Sequence, residues 1–305
     1  MAAEENPPVP GLAEPLAPGL LRVLAPNPSP MTFWGTNSYL LGRREIAVID
    51  PGPDDPAHLE ALLRALPAGA RIRHIIVTHA HRDHSPLARP LAEATGAPVH
   101  AFGPATSGRS AVMAALADSG LSGGGEGVDR GFVPDEILAD GAGLRTSEWE
   151  LTALHTPGHM GNHICLAWGD ALFSGDHVMG WASSLVSPPD GDLTDFMASC
   201  ARLASRHWQR FYPGHGAPIA DPAGRLAWLI SHRHAREAEI LAALAGGALT
   251  ATELAARIYR ETPAALLPAA SRNVFAHLVD LTGKTRVAPV SDLGFDTGFT
   301  LSAGS

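Results

Sequence analysis

The chain reads as an α+β protein: a sandwich of sheets covered by helices, followed by a small winged-helix-like module. Three observations carry this expectation. From residue 31 to about residue 220, short apolar runs alternate with single amphipathic segments. Several of those runs end in Gly next to His or Asp. From residue 221 onward the pattern changes to three helical segments and a short hairpin.

In chain order, residues 1–30 are rich in Pro and are expected to form an extended arm. Strands are expected over residues 37–41, 46–50, 72–78, 98–101, 151–155, 163–168, 171–174 and 208–212, each a short apolar run bounded by turn residues. Amphipathic spacing places helices over 56–66, 85–95, 108–118 and 194–207. The Gly-rich stretch 122–131 reads as a mobile surface insertion. Residues 221–244 form one long helical pattern. Thr250-Ala251-Thr252-Glu253 is a capping-box signature that opens a helix over 251–260. Pro263 starts a new segment, 266–281 is helical again, Gly283 is the expected stop, and 287–290 is a strand. The expected organisation is therefore an arm (1–30), a catalytic domain (31–220), a linker helix with a winged-helix-like module (221–290) and a C-terminal tail (291–305).

Composition narrows the classes. A hydrophobic content of 45% excludes disorder for the bulk of the 305 residues. Two cysteines, Cys165 and Cys200, are too few for a secreted disulfide scaffold and point to a reducing compartment. Glu4 and Glu5 stand where a signal peptide needs positive charge, and no run reaches the roughly 18 apolar residues of a membrane span. A soluble cytoplasmic protein with no membrane role is expected. A net charge of −9 argues against binding polyanions with the whole surface. The 15 His are unevenly placed, and their clustering is the informative feature.

The apolar run Ile75-Ile76-Val77 leads into His79, His81, Asp83 and His84. Four donors within six residues cannot close a tetrahedral cage on one ion without strain, but two adjacent metals can share them. Three later strand ends each offer a further donor: His159, Asp176 and His215. Gly stands immediately before each of the three, which allows a sharp turn.

His-x-His-x-Asp-His followed by His, Asp and His resembles the metallo-β-lactamase superfamily over residues 30–220. The resemblance implies an αββα sandwich and a binuclear hydrolase that uses a metal-bridging hydroxide. Carried over, it implies His79, His81 and His159 for the first metal, Asp83, His84 and His215 for the second, and Asp176 between them. Asp83 would also orient the hydroxide as a catalytic group. Asp50, in Val48-Ile49-Asp50-Pro51-Gly52, looks like the family's early acidic turn, which supports the site. Two zinc ions are the first choice, with iron or manganese also compatible with a donor set lacking thiolate. His163 and Trp181 are candidate substrate-binding residues. His177, next to Asp176, is expected to point away from the site.

Gly35-Thr36-Asn37-Ser38-Tyr39-Leu40, the run from Tyr212 to Gly216 and the module order resemble the β-lactamase-like protein 2 group. That group includes an endoribonuclease, so single-stranded RNA is one implied substrate. A small-molecule ester, thioester or lactone, as in hydroxyacylglutathione hydrolases, is the alternative. A metal-bearing regulatory module without turnover is a third reading. Residues 221–287 are only mildly basic, with 8 Arg and Lys against 6 acids. Arg233, Arg236, Arg257, Arg260, Arg272, Lys284 and Arg286 form either a local basic stripe or a solvated or dimer face, which leaves a homodimer open.

Overall fold

A computed structural model describes residues 7–122 and 127–302. Among these, the first sheet runs in the order β1 (Ala13–Ala17), β2 (Leu20–Leu24), β3 (Asn37–Leu41), β4 (Glu45–Ile49), β5 (Arg71–Ile76), β6 (Val99–Ala101), β7 (Glu136–Ile137). It is antiparallel from β1 to β4 and parallel from β4 to β7. Each parallel step is bridged by a helix, as such crossovers require: α1 (Pro56–Arg64), α2 (Ala88–Thr95) and α3 (Ala111–Asp118). The second sheet contains β8 (Gly143–Arg145), β9 (Glu150–His155), β10 (Ile164–Trp168), β11 (Ala171–Gly175) and β12 (Arg210–Pro213), in spatial order from β8 to β12. Helix α4 (Leu193–Ala204) links the parallel pair β11 and β12. The module follows: α5 (Pro222–Leu244), β13 (Leu249–Thr250), α6 (Ala251–Ile258), a 3-10 turn at Ala264–Leu266, α7 (Leu267–Gly283), β14 (Val287–Pro289) and β15 (Gly298–Leu301).

The period-two alternation of side chains produces the layers. Leu40, Ile46 and Val48 pack outward against Leu62 of α1 and Leu91 of α2. Their neighbours Tyr39, Leu41, Ala47 and Ile49 face the other way and meet Leu151, Ile164, Leu166 and Phe173 of the second sheet. Beyond that sheet, Cys165, Leu172 and Phe211 pack on Phe196 and Cys200 of α4 and Leu226 and Leu229 of α5. The result is a helix–sheet–sheet–helix sandwich. β4 is covered on both faces, which is why Ile46-Ala47-Val48-Ile49 is an unbroken apolar run.

Four expectations change. The N-terminal arm is a hairpin that adds β1 and β2 to the first sheet, with Leu20, Val23 and Leu24 buried. Pro15, the one proline within the hairpin's strands, is tolerated because β1 is the edge strand, where a missing N–H breaks no ladder. The tail expected at 291–305 carries β15, which pairs with both β13 and β14. Gly283 still lies within α7; the chain turns at Thr285, which adopts φ 56. Of the insertion expected at 122–131, residues 123–126 lie outside the described residues. The rest is tied down: Val128 bridges His81, and Arg82 N–H donates to the Gly127 carbonyl at 3.0 Å.

α5 is a bridging helix. Leu226 and Leu229 belong to the sandwich, while Ile240 and Leu244 belong to the module core. α7 is buried continuously from Val274 to Leu281. Phe275 and Leu278 face the module core, Ala276 faces the sandwich layer, and Thr194 Oγ1 on α4 donates to Asp280 at 2.7 Å. No helix among the described residues is long and apolar enough to cross a membrane.

Phe299 is fully buried in the module core although it lies beyond the expected boundary. Phe299→Ala is expected to destabilise the protein by about 3–5 kcal/mol. Urea unfolding followed by circular dichroism measures this. A loss below about 0.5 kcal/mol, the behaviour of a surface tail, would remove β15 from the core.

Candidate metal centre

The seven clustered donors meet at one end of the strands. His79, His81, Asp83 and His84 lie on the loop after β5, His159 on the loop between β9 and β10, Asp176 just after β11, and His215 just after β12. Their donor atoms form two groups, His79–His81–His159 and Asp83–His84–Asp176–His215. Within each group the atoms lie within 4.8 Å of one another. Asp176 Oδ2 spans the two, at 3.2 Å from His215 Nε2 and 3.7 Å from His159 Nε2.

Local packing explains the glycines before the donors. Gly158 adopts φ 139, and a Cβ there would strike the backbone of Phe196. A Cβ on Gly214 would strike Asp176 Oδ1 and crowd the His84 ring. The His215 loop is also pinned by the first sheet. Asn37 Nδ2 donates to the carbonyls of Pro213 and Gly216, Tyr39 OH donates to Pro213 O at 2.7 Å, and Arg22 donates to Gly216 O.

Hydrogen bonds outside the cage fix the imidazole tautomers. His159 Nδ1 donates to the Leu185 carbonyl at 2.7 Å, and His215 Nδ1 to the Gly35 carbonyl at 3.0 Å. His84 Nδ1 donates to Asp50 Oδ2 at 3.0 Å. Thr78 Oγ1 spends its only proton on the same carboxylate, so it accepts from His79 Nδ1 at 3.0 Å. In their neutral forms, all four rings therefore aim an Nε2 lone pair inward. His81 Nδ1 lies 2.9 Å from His79 Nε2 and 3.1 Å from His159 Nε2, and one proton cannot satisfy both. Asp83 Oδ1 and Asp176 Oδ1 are buried without a hydrogen-bond partner among the described residues. A cage of inward-facing acceptors fits bound cations.

The electrostatics show the same demand for positive charge. Burial, reinforced by His159, drives His81 down to about 3, and burial also lowers His79 and His159, so the first group is neutral. In the second group burial opposes ionisation, but charge pairing outweighs it. His84 and His215 hold Asp83 and Asp176 well below the usual carboxylate range. In return Asp176 and Asp83 hold His215 at about 10, and His84 is also held far above its usual value. Without a cation, protons on His84 and His215 supply the missing charge.

Other expected residues divide. Trp181 lines the cleft above the cage, and its ring stacks on Phe33 at 4.9 Å, which stacks on Trp34 at 4.8 Å. His163 does not line the cleft; it lies fully buried beneath Asp176. Its Nε2 accepts from Asp176 N–H at 3.2 Å, and its Nδ1 donates to Thr156 Oγ1. It therefore positions Asp176 and is not placed to bind substrate. His177, in the turn that follows β11, points away toward Phe196 and Cys200. Asp50 supports the site through three hydrogen bonds, to Thr78 N, Thr78 Oγ1 and His84.

The cleft has a volume of about 230 Å³. Its floor is His81, Asp83, His159, Asp176 and His215. One wall is Met31, Met179, Trp181 and Leu185. The other comes from the module: Tyr259, Leu266, Ala269, Ala270 and Asn273. The module wall carries no motif in the sequence and is brought there only by the course of α5. Asn273 Oδ1 accepts from Val186 N–H at 3.0 Å and from Arg233 at 3.1 Å, and Arg233 also donates to the Ser184 carbonyl. These bonds flank Leu185, whose carbonyl orients His159.

Comparison with known proteins agrees with this architecture. Residues 31–243 match the family model described as the metallo-beta-lactamase superfamily, and residues 250–295 match the beta-lactamase associated winged helix domain. The chain is 34% identical to a protein named beta-lactamase-like protein 2 homolog from Drosophila melanogaster, over 92% of this chain and 94% of that one. It is 31% identical to an atrochrysone carboxyl ACP thioesterase from Aspergillus fumigatus, over 82% of this chain and 76% of that one. A crystal structure of a beta-lactamase domain protein from Burkholderia ambifaria shares the fold, with a TM-score of 0.80, 24% identity and coverage of 98% of this chain and 96% of that one. With its sandwich, its donor cage and its module all accounted for in this way, the chain belongs to the metallo-β-lactamase superfamily of hydrolases.

Proposed function

We propose that this protein is a metal-dependent hydrolase of esters or thioesters whose acyl part is apolar. The observation that carries this reading is the cleft over the donor cage: apolar side chains dominate its walls, and no Lys or Arg lines it among the described residues. A phosphodiester backbone is normally held by such cations. The nearest ones are committed elsewhere. Arg225 donates to the carbonyls of Met179 and Ala182, and Arg272 to that of Pro188. Of the candidate basic stripe, Arg233 is buried, Arg236 pairs with Glu239, and Lys284 pairs with Asp280 at 2.7 Å. In a helix-turn-helix the second helix enters the groove; here that helix is α7, which is buried from Val274 to Leu281 and whose half-exposed first turns line the cleft. The named activity of the Aspergillus fumigatus relative also supports an acyl substrate.

In this reading His79, His81 and His159 hold one cation, Asp83, His84 and His215 a second, and Asp176 lies between them. Nitrogen and oxygen donors without thiolate suit zinc, and also iron or manganese. Divalent cations there supply a Lewis acid for the scissile carbonyl and lower the pKa of water. Asp83 is held through Oδ2 by His215 at 3.1 Å and His84 at 3.4 Å, which leaves Oδ1 to accept a hydrogen bond from the attacking water and orient it. The apolar walls hold the acyl group and keep competing water out.

The test is hydrolysis of acetyl and decanoyl thioesters of N-acetylcysteamine, beside a single-stranded RNA oligomer. Thioester cleavage is expected to stop with EDTA and return with zinc. Asp176→Ala is expected to lower kcat/KM by at least about 100-fold. Cleavage of the RNA with no action on either thioester would overturn the reading.

A second outcome concerns pH. His84 and His215 are held protonated above their usual values, so a cation entering the second group must displace their protons. His81, at about 3, and the lowered His79 and His159 impose no such competition at neutral pH. Affinity at the second group should therefore rise with pH between 6 and about 10, while the first group stays nearly flat. Zinc titration calorimetry of the apo protein in buffers of different ionisation enthalpy counts the protons released. Absence of proton release at pH 7 would contradict the assignment.

A further inference from the structure

Resting on the acyl-hydrolase reading, we propose that the winged-helix module is the acyl-chain wall of the substrate cleft, and that Leu266 and Ala269 set the chain length accepted. The two residues sit on the 3-10 turn and the first turn of α7, which project over the donor cage. Both are half-buried and line the cleft together with Met179, Trp181 and Leu185. Neither belongs to the buried core of the module, unlike the neighbouring Ala270. Their side chains therefore face the cleft without a packing role. In this proposal small Ala269 would leave room for the chain and the larger, branched Leu266 would limit it.

The wall is fixed in place. Asn273, one turn beyond Ala269, joins Val186 and Arg233, and Thr194 joins Asp280. Met113 and Leu116 of α3 pack into the module core, so the sandwich holds the module from a second side. A rigid apolar wall facing a catalytic floor measures chain length, because each methylene is buried until the chain meets the wall.

The test uses acetyl to dodecanoyl thioesters of N-acetylcysteamine with the zinc-loaded full chain, together with calorimetric titration by sodium decanoate. In the wild type, kcat/KM is expected to rise about fourfold per methylene and then level off. Ala269→Phe is expected to move the plateau to shorter chains. It should lower kcat/KM for the dodecanoyl substrate at least about tenfold more than for the acetyl substrate, and weaken decanoate binding about tenfold. Leu266→Ala, which removes a side chain from a half-exposed position, should move the plateau to longer chains and reports alone if Ala269→Phe does not fold. Thioester hydrolysis with one chain-length profile in all variants overturns the wall and leaves the hydrolase reading standing. Decanoate binding that responds to the variants, without thioester turnover, supports the wall and overturns the hydrolase reading. Decanoate binding and hydrolysis that are both indifferent to the variants overturn the wall.

Discussion

The carboxylate of Asp50 decides which way two of the site's imidazoles face. It accepts the backbone N–H and the hydroxyl proton of Thr78, and it accepts Nδ1–H of His84. Because the Thr78 proton is committed there, the hydroxyl takes the Nδ1–H of His79. One buried acid thus turns two Nε2 lone pairs inward, one in each donor group. Asp50 adopts φ 51, a backbone conformation that non-glycine residues occupy only under constraint. Its place at the end of β4, hydrogen-bonded through N–H to the Ile76 carbonyl of β5, supplies that constraint. The inward Nε2 atoms of His79 and His84, and that share of the cage's demand for positive charge, follow from this arrangement.

A second set of bonds joins the module to the cage. Asn273 and Arg233 hold residues 184–186 on either side, and the Leu185 carbonyl between them receives His159 Nδ1. The same segment carries the Leu185 side chain that lines the cleft. Residues of the module therefore serve two purposes, as a face of the cleft and as the brace of a donor loop. An Arg that looks surplus in a charge tally is spent on carbonyls inside the protein.

Much of the site was legible because its donors are local or punctuated. His79, His81, Asp83 and His84 fall within six residues, and Gly precedes each of His159, Asp176 and His215. The apolar runs of the central strands were legible as well: β4 from Ile46 onward and the end of β5, Ile75-Ile76, are buried in the sheet interior. What sequence could not show depends on distant partners. The Pro-rich start folds as a hairpin only because β3 offers an edge. β15 is a strand only because β13 and β14 flank it. His163 had the right residue type and the right distance from His159, but Asp176 N–H claims its inward nitrogen. Leu266, Ala269 and Asn273 carry no local signal, since their role arises from where α5 delivers α7.

The pinning of the His215 loop by the first sheet sets an order in time. Asn37 and Pro213 are joined across 176 residues of chain, one of the costliest closures in the sandwich. During synthesis from the N-terminus, the first donor group is complete in sequence once His159 has emerged. The second waits for His215 and for its return to strands made near the start. The cleft wall comes later still, with residues 259–273. A partly made chain can thus hold the three donors of the first group before it has the Leu185 carbonyl that orients His159, and before the second group exists. A chain that stops before Tyr259 therefore carries all seven donors of the cage but lacks the module side of the cleft.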